Sequence, residues 1–181
     1  MSKSHHASRI NMQAFASEGV PLTETTLLKN LERLAQEAQG LQLDASVRWQ
    51  ANAEMRPGSG AEDDIWLHLQ AQSSFPLTCQ RCMGAVAVPL EVDQWYRFVA
   101  SEEIAMVQDD ESEEDLLVME PQFDLVAVLE DELLMALPLV PMHDECPTAP
   151  VMHTAEEELA DEIEARPNPF AVLSGLKKKD R

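Results

Sequence analysis

Residues 43–55 alternate without a break: Leu43, Ala45, Val47, Trp49, Ala51, Ala53 and Met55 share one parity of the chain. Successive side chains of an extended backbone point to opposite faces, so a period of two over this length dictates a half-buried strand. Ile65, Leu67, Leu69 and Ala71 repeat the pattern beyond the loop Arg56-Pro57-Gly58-Ser59-Gly60. The two runs predict a hairpin with a long connection. Val86, Val88, Leu90 and Val92 predict a third strand, extended through Trp95, Arg97 and Val99, with Pro89 marking an edge or a bulge.

Helices and loops are read around this sheet. Residues 10–15 read as a first strand. Thr23 is placed to cap a helix over residues 24–38, with Leu27, Leu28, Leu31, Leu34 and Ala38 as its apolar stripe and Gly40 as its stop. Residues 101–115 carry eight acids and read as a mobile acidic loop, followed by a short strand over 116–119. Asp124 predicts the cap of a helix over 125–137, stopped by Pro138. Residues 138–150 are a proline-rich loop and 155–165 an acidic helix. Asn168 and Pro169 then open a last helix with Phe170, Leu173 and Leu176 on one side and Lys177, Lys178 and Lys179 at its end. These elements predict an α+β fold: a twisted antiparallel sheet with helices packed on one face, an acidic loop and a C-terminal helix. Residues 1–8 are expected to be disordered, 9–150 to form a single domain, and 151–181 to be an acidic linker or helix plus the C-terminal helix and basic tail. No internal repeat is present.

Charge narrows the function classes. Thirteen basic residues face 33 acidic ones, a net −20. Residues 98–165 hold no Lys or Arg and 21 Asp and Glu. Such a field repels a phosphate backbone and attracts basic surfaces. The acids serve either as a solvated face or as a docking strip for a basic partner, with Glu130, Asp131 and Glu132 clustered on a helix. No run of 18 apolar residues predicts a membrane span, residues 1–16 do not read as a secretory signal, and three cysteines fit a reducing compartment. The expected location is the cytoplasm. There is no glycine-rich phosphate loop and no Gly-x-Ser-x-Gly, and His68, on a strand opposite the apolar face, reads as exposed. Neither an enzyme activity nor a small-molecule substrate is expected.

Cys79-Gln80-Arg81-Cys82 is the sharpest local motif. Two cysteines three apart can place both sulfurs on one metal when the chain turns tightly between them. His143 and Cys146 repeat the spacing and would complete a three-thiolate, one-imidazole zinc set. Two other readings stand beside it: small core cysteines without a metal, and a redox pair. The redox reading suits a strand-to-helix setting, whereas this pair lies between two strand-like runs. The terminal segment with Asn168, Pro169, Phe170 and Leu173 is either a helix docked on the sheet or a recognition helix for protein or RNA.

Leu77-Thr78-Cys79-Gln80-Arg81-Cys82, the segment from Phe123-Asp124-Leu125 through Ala136-Leu137-Pro138 to Pro141-Met142-His143, and the closing Pro167-Asn168-Pro169-Phe170-Ala171-Val172-Leu173 together resemble the YceD family. That family is known as the large ribosomal RNA subunit accumulation proteins. The resemblance covers roughly residues 9 to 179. It implies a bacterial, non-enzymatic factor in synthesis, processing or accumulation of 23S ribosomal RNA and in large-subunit assembly. The partner expected from charge is a basic ribosomal protein, with large-subunit ribosomal RNA precursor touched locally through Arg81, Lys177, Lys178 and Lys179. A zinc- or thiol-dependent enzyme of RNA metabolism and a general acidic chaperone for basic proteins are the alternatives.

Overall fold

The alternating segments build a five-stranded sheet of order β1-β2-β3-β4-β5 in a computed structural model that describes residues 6–58 and 63–147. Strands β2 (Ser46–Pro57), β3 (Asp63–Thr78) and β4 (Ala85–Val99) run antiparallel in sequence order. Ala51 lies opposite Leu69, Ala71 opposite Val92 and Leu67 opposite Tyr96. This register puts the apolar parity of all three strands on one face, which is why one slip of a residue would expose the whole set. Pro89 lies in β4 opposite Ser74, outside the stretch of β4 that pairs with β5. That segment of β4 is the sheet edge, where a missing N–H breaks no ladder bond.

The outer strands differ from expectation. Residues 22–27 form β1 (Leu22–Leu27), antiparallel to β2, and so take over the predicted cap Thr23 and the first turn of the helix predicted over 24–38. Thr23, Thr25 and Thr26 are β-branched, and the Trp49 indole N–H donates to Thr26 Oγ1 at 3.0 Å, so the strand wins over the leucine spacing. Only a single 3-10 turn (Leu28–Asn30) and the short α2 (Glu32–Glu37) follow. Near the N-terminus, Ile10 makes one bridge to Phe123, and Asn11 then caps α1 (Met12–Glu18), accepting from Ala14 N–H at 2.9 Å. The strand predicted over 10–15 is therefore mostly helix. Its final turn closes on Gly19 at φ 60°, the left-handed position that glycine takes without strain.

The predicted acidic loop is also ordered. Glu102–Gln108 form α3, continued by a 3-10 turn at Asp109–Glu111. Glu102 and Glu103 occupy its first turn, where carboxylates are favoured by the helix dipole. The chain then enters β5 (Asp115–Val118), which pairs parallel with β4. A parallel neighbour needs a crossover instead of a tight turn, and α3 supplies it. The sheet is thus mostly antiparallel, not wholly so, within the α+β class.

Asp124 caps α4 (Leu125–Met135) as predicted, accepting from Ala127 N–H at 3.0 Å. Helices α1, α2 and α4 share one core with the inner sheet face: Phe15, Leu34, Leu67, Leu69, Phe75, Leu125, Leu129 and Leu133 are all fully buried. Each such side chain contributes about 1.5–3 kcal/mol on leaving water. On the outer face, Arg56 lies 4.5 Å over the Trp66 ring and 4.1 Å over the Trp95 ring, and His68 stacks on Trp95 at 4.2 Å. His68, expected to be exposed, is partly covered there and bonds Asp93 at 2.6 Å. No helix among the described residues is long and apolar enough to cross a membrane. The described residues up to Cys146 form one compact unit. Of the disordered segment predicted over 1–8, residues 1–5 fall outside the described residues, whereas Ala7 is buried and accepts from Leu125 N–H at 3.0 Å; the helices predicted over 155–165 and 170–177 fall wholly outside the described residues.

Candidate functional site

The loop between β3 and β4 is a tight knuckle. Cys79 N–H donates to Gly84 C=O and Met83 N–H to Cys79 C=O, both at 2.8 Å. Met83 takes φ 60° to close the turn. This backbone folds the Cys79 and Cys82 side chains to one side. The knuckle is tied to the segment after α4, because Gln80 N–H donates to Pro141 C=O at 2.9 Å. Pro138 has ended the helix there, and the following residues carry His143 and Cys146 back over the knuckle.

The four side chains meet. The ligand atoms of Cys79, Cys82, His143 and Cys146 all lie within 4.8 Å of one another. Cys79 Sγ is 3.9 Å from Cys146 Sγ, and Cys82 Sγ is 3.5 Å from His143 Nδ1. Cys79 is fully buried and the other three are half-buried. Burial pushes the Cys79 thiol up, but backbone N–H groups of Cys82, His143 and Arg81 converge on its sulfur and bring it down to about 5. At Cys82 the Gly84 N–H favours the thiolate, yet burial and the neighbouring Cys146 and Cys79 sulfurs outweigh it, so that thiol stays above its ordinary value. Sulfurs this crowded hinder one another's ionisation unless a cation lies between them. Donors of this softness and number suit a thiophilic metal.

Arg81 is exposed, and its guanidinium is engaged with this cluster. Its Nε donates to Cys146 Sγ at 3.0 Å, and one terminal nitrogen donates to His143 C=O at 2.7 Å and Asp144 C=O at 3.1 Å. The Cys146 sulfur raises the guanidinium further into its charged range. Spacing alone marks Cys79, Cys82, His143 and Cys146, but gives no sign that the exposed Arg81 folds back onto Cys146 and the carbonyls of His143 and Asp144.

The acidic candidates divide. Glu130 is buried, and its carboxylate accepts from the backbone N–H groups of Arg33 at 2.7 Å and Leu34 at 3.0 Å and from Arg33 Nε at 3.1 Å. It caps α2 from α4 and is a correction to its expected place on a partner surface. Asp131 is exposed and pairs with the Arg33 guanidinium. Glu132 is half-buried, and the Tyr96 hydroxyl is pushed far above its usual range by burial first and then by the Glu132 carboxylate. By contrast, Glu102, Glu103, Asp109, Asp110, Glu111 and Glu113 all face solvent along α3 and its following turn. Ile104, Met106 and Val107 are exposed among them at 40%, 68% and 76%. This acidic strip with apolar residues set into it was legible as charge, but not as a helix. Arg97 anchors it to the sheet: its guanidinium bonds Glu114, Gln108 and Ser112. Asn168, Pro169, Phe170, Leu173, Lys177, Lys178 and Lys179 lie outside the described residues.

No solved structure matches the chain. A curated relative from Haemophilus influenzae, named large ribosomal RNA subunit accumulation protein YceD, is 33% identical over 162 residues, covering 82% of this chain and 83% of the relative. The family model described as large ribosomal RNA subunit accumulation protein YceD matches residues 67–177, a span that begins in β3 and takes in the knuckle, the acidic strip, α4 and the loop with His143 and Cys146. On that match and that relative, the chain belongs to the YceD family.

Proposed function

We propose that this chain promotes accumulation of large-subunit ribosomal RNA as a non-enzymatic cytoplasmic factor, and that it does so by binding a basic ribosomal protein through α3 and the turn after it. Family membership supports the ribosomal role. The acidic strip carries the mechanism: six exposed carboxylates are interleaved with Ile104, Met106 and Val107 and held in place by Arg97. The carboxylates steer a cationic partner, and the apolar side chains supply contact area that charge alone does not. Naked RNA is disfavoured, because phosphate contacts need Lys and Arg, and residues 98–165 hold neither. Shielding a basic protein until its RNA is ready would keep it from indiscriminate contacts during assembly.

The test is a combined neutralisation, Glu102→Gln, Glu103→Gln, Asp109→Asn, Asp110→Asn and Glu111→Gln, in the full chain. These side chains are exposed, so the fold should survive. Affinity for the basic large-subunit proteins should fall at least tenfold at about 0.15 M salt, and its salt dependence should flatten. Unchanged affinity would move the partner site elsewhere. Equal binding of unrelated basic proteins would instead identify a general acidic chaperone.

A further inference from the structure

We propose that Cys79, Cys82, His143 and Cys146 hold one zinc ion in a closed structural site that clasps the β3–β4 knuckle to the segment after α4, with Arg81 balancing the thiolate charge from outside. Zinc bonds of about 2.3 Å to sulfur and about 2.0–2.1 Å to nitrogen set tetrahedral edges of about 3.8 Å for S···S and about 3.6 Å for S···N. The Cys79–Cys146 separation of 3.9 Å and the Cys82–His143 separation of 3.5 Å match those edges. The widest pair of ligand atoms, within 4.8 Å, needs a closure of about 1 Å onto the ion.

The surroundings fit the same ion. His143 Nε2 lies 3.0 Å from Ala85 C=O, an acceptor only, so Nε2 carries the proton and Nδ1 turns its lone pair to the cluster. This is the outer partner that metal-bound imidazoles use to fix their tautomer. Three thiolates and a neutral imidazole around a divalent ion leave one negative charge, and Arg81 places its guanidinium against Cys146 Sγ to offset it. Four protein donors fill a tetrahedron and leave no position for water or substrate, so the site is structural and not hydrolytic. It joins parts of the chain about 60 residues apart. Without an ion, the segment carrying exposed Leu139, Val140 and Met142 is held to the knuckle by the hydrogen bonds of Gln80, Arg81 and His143 and by the long contacts among the Cys79, Cys82 and Cys146 sulfurs and His143 Nδ1.

The full chain, prepared under reducing conditions and freed of metal, is titrated with Co²⁺ and then Zn²⁺. One equivalent of Co²⁺ should give the visible absorption of a tetrahedral centre and the near-ultraviolet band of thiolate bonding, and Zn²⁺ should abolish both. Elemental analysis of protein purified from cells should find one zinc per chain, and chelation should lower Tm by several degrees. Cys82→Ser with Cys146→Ser should lose the signal, while Arg81→Met should keep the stoichiometry and weaken Zn²⁺ binding roughly 10–100-fold. The proposal is overturned if wild-type chain binds no Co²⁺, or if the double serine variant binds it unchanged. The wild-type titration decides the matter even where a variant fails to fold.

Discussion

Glu130 has both oxygens engaged at the start of α2, where two backbone N–H groups have no acceptor within their own helix. Glu130→Ala leaves those donors and Arg33 without their anion. Half the Arg33 side chain reaches solvent, which tempers the cost. We expect a loss of about 2–3 kcal/mol, read as a lower urea midpoint, with Glu130→Gln losing less because one acceptor oxygen survives. Arg97 gives a pH prediction. Its hydrogen bond holds the Glu114 carboxyl below the usual carboxylate range. A depressed carboxyl adds stability above its unfolded value of about 4.3, and that contribution disappears as pH falls through the lower folded value. Thermal melts from pH 6 downward should show this acid loss in the wild type and a shallower one in Arg97→Met. An equally steep loss in the variant would remove Glu114 from the account. Neither interaction was readable from local pattern, since each joins residues far apart or on different elements.

The long elements were legible because one period dominates each. Residues 43–55 and 65–71 alternate over enough positions to define β2 and β3, and Asp124 ahead of a broad apolar run defines α4. Short elements were misread where two signals competed. Residues 24–38 have helical leucine spacing, but the threonines at their start pair with β2 and leave α2 only six residues. The helix α3 buries no residue, so it has no inward stripe to betray it, and its acids suggest a loop. Asp124 offers a direct check on α4. Asp124→Ala should cost about 1 kcal/mol in chemical denaturation, with Asp124→Ser close to wild type, because serine also accepts from the first-turn N–H groups. Loss of that cap should act on stability and leave the absorption of a Co²⁺-loaded knuckle unchanged in shape.

Across the molecule, the charge and the cysteine pattern were legible in the sequence to different depths. The imbalance between 33 acids and 13 bases was readable at once, while its presentation on an ordered helix required the fold. The four metal-ligand candidates were readable from two equal spacings, and their convergence depends on the knuckle and on the stop at Pro138. Binding that relies on the acidic strip should weaken steeply from about 0.05 to about 0.3 M salt, since exposed charges are screened within a few ångströms at higher ionic strength. The central claim is that the chain selects a cationic protein over nucleic acid. Equilibrium titration of labelled full chain against isolated large-subunit ribosomal proteins and, separately, against naked 23S ribosomal RNA at physiological salt tests it most directly. A basic protein should bind with Kd below about 1 μM, and RNA far more weakly. Tight RNA binding with no ribosomal protein bound would contradict it.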